Sequence, residues 1–333
     1  LHSKKIQGRR GQELKNSIIY YSVGALLYCP ANRNNIVDSI TSEKLGTNFS
    51  LALCLEDTIN DNFVEEAERI LIDSINKIFV RYERQPFFLP KIFIRVRNPK
   101  QITYLTKAFG QSIKMITGYI IPKFTITNAN EYIQAIIKGN ESTKKPLYMM
   151  PIYENSSIVD LQKRIDILYR LKDILSKVEE HVLNIRVGGN DLCHMFGFRR
   201  HSDESIHKIK PISNIFSDIV TVYGMDYVIS GPVWEYYSGY HWEEGLIQEI
   251  YDDKLCGFIG KTVIHPNQIP VVNEAYKVCE NDFHDAKSIL EWNQHSNTFV
   301  SSNLAKERMN EYKTHSHWAQ QTLYLAEAFG IKH

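Results

Sequence analysis

Short apolar runs, rich in β-branched and aromatic residues, recur along the first four-fifths of this chain, and each is separated from the next by enough residues for a helix. They fall at 24–28, 50–55, 92–96, 118–121, 147–150, 182–187, 227–230 and 256–264. Strand-sized runs alternating with helical connections point to a parallel sheet, and eight of them favour a closed α/β architecture, a (β/α)8 TIM barrel, over an open sheet. Several connections carry helical spacing. Val64, Ala67, Leu71, Ile75 and Ile78 form one stripe, with Asn62 and Glu65 spaced as a capping box. Ile158, Leu161, Ile165, Leu168, Leu171, Leu175 and Val178 form another, which Ser157 and Asp160 are placed to cap, just after the fifth run breaks at Pro151. No Gly-x-Gly-x-x-Gly follows the first run, which weakens a dinucleotide-binding reading, and no Walker-type phosphate loop is present.

The 333 residues suffice for one barrel with extensions, or for two smaller domains. We divide them into a basic tail over 1–20, a barrel domain over 21–269 and a helical extension over 270–333. The tail carries Lys4, Lys5, Arg9 and Arg10 without the apolar core of a signal peptide. The extension carries Trp318, Leu323, Leu325, Ala326 and Phe329, too apolar for a free tail, so it is expected to pack on the barrel or on a second subunit. With 43% hydrophobic residues and a net charge of +1, the composition fits a soluble protein with no global field for nucleic acid or anionic membrane. The five cysteines are odd in number and form no C-x-x-C pair, which argues for a reducing, cytoplasmic compartment. Twelve histidines include no H-E-x-x-H, and His315-x-His317 lies in a polar segment.

The residues just past each run carry the chemistry. In order these are Arg33, Glu56 with Asp57, Arg95 and Arg97, Lys123, Glu154, Asp191, Ser230-Gly231-Pro232 and His265-Pro266. In a parallel barrel the carboxyl ends of the strands form the reactive rim. Glu154 and Asp191 occupy matching places in successive βαβ units. Either alone suits a helix start or a turn; together they suit a hard cation bound through oxygen, and Mg2+ commonly takes one or two carboxylates, with water and substrate for the rest. Arg33, Arg95, Arg97 and Lys123 would then face an anionic substrate, and Gly189-Asn190 would let its carboxylate approach the backbone. Glu56 and Asp57, ionised among cations, are expected to orient the arginines. His265 is open to an acid–base role, although its place before Pro266 favours a structural one. The aromatic stretch from Trp234 to Trp242 reads equally as a lid over the site or as packing.

Taken in order, Leu-Leu-Tyr-Cys-Pro-Ala-Asn-Arg33, Leu-Glu56-Asp57-Thr, Ile-Arg95-Val-Arg-Asn, Pro-Lys123, Ile-Tyr-Glu154-Asn, Gly-Gly-Asn-Asp191-Leu and Gly260-Lys261-Thr-Val-Ile-His265-Pro-Asn-Gln268 resemble the citrate lyase β-subunit (HpcH/HpaI aldolase) family. The strings Leu-Asn-Ile-Arg-Val-Gly-Gly-Asn-Asp and Ile-Ser-Gly-Pro-Val-Trp-Glu-Tyr are similar to a C–C bond lyase branch associated with tellurium-resistance-type gene clusters. The resemblance implies a TIM barrel, Mg2+ held by Glu154 and Asp191, and substrate carboxylate contacts from Arg95. It also implies a homo-oligomer, commonly a trimer, in which a C-terminal segment reaches the neighbour's site. We assign the catalytic set to Arg95, Glu56 and Asp57. The activity the resemblance implies is carbon–carbon cleavage or condensation through an enolate of a 2-oxo acid or acyl-CoA. Three departures stand out: Glu154 is followed by Asn155, Asp191 is preceded by Asn190, and Met309-Asn310-Glu311 stands where some members carry an aspartate. They leave room for a catalytically silent homologue acting as a subunit or interaction protein.

Overall fold

The computed structural model describes residues 17–332, so the basic cluster of residues 4–10 lies outside the described residues. Eight parallel strands close into a barrel in sequence order: β1 (Ala25–Pro30), β2 (Ser50–Cys54), β3 (Lys91–Arg95), β4 (Ile116–Ile121), β5 (Tyr148–Tyr153), β6 (Ile185–Val187), β7 (Ile229–Val233) and β8 (Phe258–Val263). The last pairs back onto the first, with Ala25 opposite Lys261. The helices are α1 (Ile18–Tyr21), α2 (Ile36–Thr41), α3 (Val64–Arg84), α4 (Pro99–Phe109), α5 (Ala129–Ser142), α6 (Arg164–Leu175), α7 (Gly189–Met195), α8 (Lys210–Tyr223), α9 (Trp242–Leu255) and α10 (Gln268–Tyr276). Inside the barrel, Leu26, Ala52, Phe93, Ile120 and Met150 pack together. A larger apolar cluster joins the other strand faces to the helices.

The periodicity of α3 translates directly: Ala67, Leu71, Ile75 and Ile78 are all fully buried. Its start differs from expectation. Asn60, not Asn62, supplies the cap, its side chain accepting from the Asn62 N–H at 3.0 Å on a 3-10 turn that precedes the helix. The fifth unit differs more. β5 runs through Pro151 to Tyr153, and Pro151 sits at the end of its register with β4, opposite Ile121. The helix then begins only at Arg164, leaving Leu161 exposed and Ile165 half out of the core. Asn155 caps a 3-10 turn at Ser156–Ile158, and the Arg164 guanidinium folds back onto the Ile158 and Val159 carbonyls at 2.6 and 3.1 Å. Local side-chain bonds of this kind compete with a continuous helix.

The C-terminal residues form β9 (Val278–Cys279), α11 (Glu280–Leu290), β10 (Val300–Ser302), β11 (Met309–Glu311), α12 (Tyr312–Phe329) and β12 (Ile331–Lys332). They are tied to the barrel through aromatic contacts. Tyr324 stacks on Tyr21 with centroids 5.0 Å apart, and Phe329 stacks on Tyr276 at 5.2 Å. Trp318 stays partly exposed, with Arg308 over its ring.

Between β8 and α9 lies a buried ionic network. Lys261 donates to Glu249 Oε1 at 2.7 Å and Asp253 Oδ2 at 2.6 Å. Arg200 donates to the second oxygen of Glu249, and His207 bonds Asp253 Oδ1 at 2.7 Å. Each charge is paired, the condition under which burying them is tolerable. No helix among the described residues is long and apolar enough to cross a membrane.

Candidate active site at the barrel rim

Glu154 follows the last residue of β5 and is 3% exposed. Its Oε1 accepts from Arg95 Nη2 at 3.2 Å and from the backbone N–H of Lys123 at 2.9 Å. Lys123 can turn its N–H inward because its backbone is left-handed, with φ of 47°. On the other side of Glu154 lies Gly188. A methyl group there would sit 2.3 Å from Glu154 Cβ and 2.4 Å from Oε2, so the carboxylate occupies the space that any other side chain would fill. Gly188 introduces α7, whose first turn carries Asp191. Burial, opposed by Arg95 and reinforced by the charge of Asp191, pushes the Glu154 carboxyl up to about 7. Two acids thus act on one another in a place with little water.

Arg95 ends β3 and is 7% exposed. Besides Glu154, its Nη2 meets Glu56 Oε2 at 2.8 Å and Asp57 Oδ2 at 2.9 Å, while its Nε is buried without a partner. Lys123 Nζ closes the cluster, bonding Glu56 Oε1 and lying 3.1 Å from Asp57 Oδ1. The two adjacent acids are not equivalent. Burial raises the Glu56 carboxyl despite Arg95, whereas Asp57, more open, is drawn below its usual range because Arg95, Glu56 and Lys123 outweigh its burial. Burial therefore works against the ionised form of Glu56, whereas the ionised form of Asp57 is favoured on balance.

The other predicted residues divide. Arg33 lies at the rim, bonding Asn35 Oδ1 at 2.8 Å and Cys29 Sγ at 3.5 Å. Arg97 lies beyond the end of β3 and turns away from Arg95. Its guanidinium reaches the carbonyls of Leu55, Glu56 and Ile59 and pairs with Asp61, so it clamps the loop that carries the two acids. Gly189 is buried against Ile206 and Pro232, and Asn190 is exposed. His265 stacks on Tyr237 at 4.5 Å, and its Nδ1 accepts from the Asn267 N–H at 3.2 Å. The neighbouring Gln268 is a clasp, donating to the Trp234 and Tyr236 carbonyls at 3.0 and 2.8 Å. The aromatic stretch is mixed: Trp234 is fully buried under Arg200, whereas Tyr237 and Tyr240 are exposed. In the extension, Asn310 is buried in β11.

The donor set suits a hard cation. Glu154 and Asp191 are both oxygen donors. Among the described residues no group of three or more His, Cys, Asp or Glu is arranged to hold a metal ion, so a cation here would draw most of its ligands from water and substrate, as Mg2+ does. A cation between these two acids would also relieve the repulsion that raises Glu154.

A family model described as a C–C bond lyase of the TIM-barrel fold matches residues 17–331. The chain belongs to that family. Solved structures share the fold. A citrate lyase from Burkholderia xenovorans superposes with a TM-score of 0.70 at 13% identity, covering 93% of this lyase-family chain and 93% of its own. The protein CitE from Mycobacterium tuberculosis, in complex with magnesium, acetoacetate and coenzyme A, gives 0.59 at 17% identity, covering 92% of this chain and 99% of the other. The citrate lyase β subunit of the same organism, complexed with oxaloacetate and magnesium, gives 0.52 at 18%, covering 78% and 99%. No curated protein matches significantly.

One buried charge below this rim escaped the sequence reading. Arg186 stands in the middle of β6, is 1% exposed and shares the barrel interior with Tyr28 and Thr262. An arginine inside an otherwise apolar strand was the available signal.

Proposed function

We propose that this protein is a Mg2+-dependent carbon–carbon lyase that cleaves, or in reverse condenses, a 2-oxo acid or related anionic substrate at the rim formed by Glu154, Asp191 and Arg95. The observation that carries this reading is the buried Glu154 carboxylate, raised by burial and by Asp191 and held beside the Arg95 guanidinium. Family membership supplies the reaction class. The complexes of M. tuberculosis CitE and citrate lyase β subunit with magnesium and oxo acids, at 17–18% identity, support the choice of cation and substrate. The likeness to the tellurium-associated branch rests on the sequence strings alone.

In this reading Glu154 and Asp191 hold Mg2+. When bound, the ion would polarise the substrate carbonyl and stabilise negative charge as the C–C bond breaks. Arg95 receives the substrate carboxylate through its unpartnered edge, because Nη2 is committed to Glu56, Asp57 and Glu154 while Nε is free. Glu56 and Asp57 keep the guanidinium in one plane, and Lys123 fixes the two acids and Glu154 at once. Arg97 acts one step back, by holding the acid loop. Arg33 and the Asn190 side are left for the outer end of the substrate, where coenzyme A or another acyl carrier would project. We place the enzyme in the cytoplasm as a homo-oligomer, with a trimer as the expected assembly.

The test is Asp191→Asn, which keeps volume and removes charge. Asparagine suits a helix start or turn about as well as aspartate. Isothermal titration with Mg2+ should show affinity falling more than about tenfold, while circular dichroism stays unchanged. Wild-type metal binding and turnover of oxaloacetate in the variant would leave a catalytically silent subunit or interaction protein as the better reading.

A further inference from the structure

Arg186 has more donors than the protein satisfies. Its Nη2 donates to Thr262 Oγ1 at 2.5 Å, while Nε and Nη1 are buried without a hydrogen-bond partner. Among the described residues no carboxylate is paired with it; the groups that favour its charge are two tyrosines, Tyr28, whose hydroxyl is in hydrogen-bonding reach, and Tyr276. Arginine does not shed its proton to escape such a place, so an unpaired buried guanidinium is a standing electrostatic cost. The surroundings are unsatisfied in the same way. Ser230 is opposite Arg186 in the β6–β7 register, is fully buried, and its hydroxyl has no partner. Asn184, two residues earlier and just before β6, is buried and has neither its amide nitrogen nor its oxygen bonded. Buried polar groups are rarely left unmatched, and several together mark a place meant for something else.

That place is linked electrostatically to the rim. Tyr28 and Thr262 are only half-buried, and the Tyr28 phenol interacts electrostatically with both Arg186 and Arg95. Arg95 contrasts with Arg186, because three acids already surround it. The two guanidiniums therefore differ: Arg95 is already held by protein carboxylates and keeps one free edge, whereas Arg186 has no carboxylate partner among the described residues.

We propose that Arg186, with Ser230, Thr262 and the Tyr28 hydroxyl, forms an anion subsite inside the barrel that receives a second carboxylate of the substrate. The substrate is then a dicarboxylate, with one end at Arg95 and the other reaching down to Arg186. The pairing with Arg95 rests on the lyase reading; the subsite itself rests only on the unsatisfied donors.

The experiment uses the full chain in EDTA, with succinate as the dicarboxylate and acetate as the monocarboxylate, read by calorimetric titration and thermal melting. Wild type should bind succinate and melt higher in its presence, and acetate should do much less. Arg186→Met should melt higher than wild type without anion, since the unpaired charge is gone, and should bind succinate at least about tenfold more weakly. Arg186→Gln should lose succinate binding in the same way, and it decides the matter if the Met variant does not fold. Succinate binding unchanged in either variant would overturn the subsite. So would an Arg186→Met protein that melts lower than wild type and is still stabilised by succinate, because that is an arginine serving structure. Asp191→Asn should keep the succinate response in EDTA. A protein that fails the Mg2+ test can therefore still pass this one, and the reverse.

Discussion

Gly188 lies directly against Glu154, so close that a β-carbon there would fall 2.4 Å from Oε2. The glycine is thus a spatial requirement of the carboxylate. Gly188→Ala should displace Glu154 while leaving the barrel assembled. Mg2+ affinity should drop about as far as in Asp191→Asn, which titration calorimetry would show. Unchanged affinity would mean that Glu154 is not a ligand.

Arg95→Lys keeps the charge and loses the planar fork. A lysine ammonium cannot serve Glu56, Asp57, Glu154 and a substrate carboxylate together. Oxaloacetate binding should weaken by about tenfold or more, the scale of a charged hydrogen bond, with Mg2+ affinity within about threefold of wild type. Parallel loss of both would place Arg95 in support of the metal acids instead.

Arg97 invites a different signature. Because it holds the 55–61 loop by three carbonyls, Arg97→Leu should speed amide exchange in that loop. Turnover should fall in kcat/KM together with that faster exchange, since the acids that orient Arg95 would lose their seat. A rise in oxaloacetate KM with an unchanged loop would instead make Arg97 a substrate contact.

Without a cation, stability should depend on pH through Glu154. Its carboxyl is raised to about 7, chiefly by burial, from an ordinary value near 4.5. The folded form then holds a proton that the unfolded chain has released. The stabilisation this gives is greatest near the lower value and is lost as pH rises through 7, by roughly 3 kcal/mol at most. Melting temperature in EDTA should fall between pH 5 and 8, Glu154→Gln should flatten the trend, and Mg2+ should restore stability at the upper end. A flat wild-type profile would count against a Glu154 carboxyl raised by burial.

Lys261 tests the opposite side of β8. Lys261→Met would leave Asp253 with only His207 and weaken the hold on Glu249, at a cost of about 3–5 kcal/mol for breaking a buried pair. Chemical denaturation should report that loss, while Mg2+ binding by the folded fraction stays unchanged. A neutral result would show that the network contributes little to stability.

The barrel was legible because its evidence is periodic and local. Strand runs separated by helical stripes such as Ala67, Leu71, Ile75 and Ile78 dictate alternation, and burying both faces of a parallel sheet leaves few closures. The rim acids and Arg95 were legible too, since residues just past strand ends must gather at one end of such a barrel. Direction and partnership were not. Whether Arg97 faces a substrate or the Leu55 carbonyl depends on where β3 stops, and whether Gln268 is free or clasps Trp234 depends on a loop 34 residues away. The start of α6 was settled by Arg164 folding onto its own preceding turn, a competition that apolar spacing does not record. Above all, the sequence shows Arg186 as one charge in an apolar strand. Only closure of the barrel surrounds it with Tyr28, Ser230 and Thr262, and among the described residues no carboxylate pairs with it, because its neighbours come from strands distant in the chain.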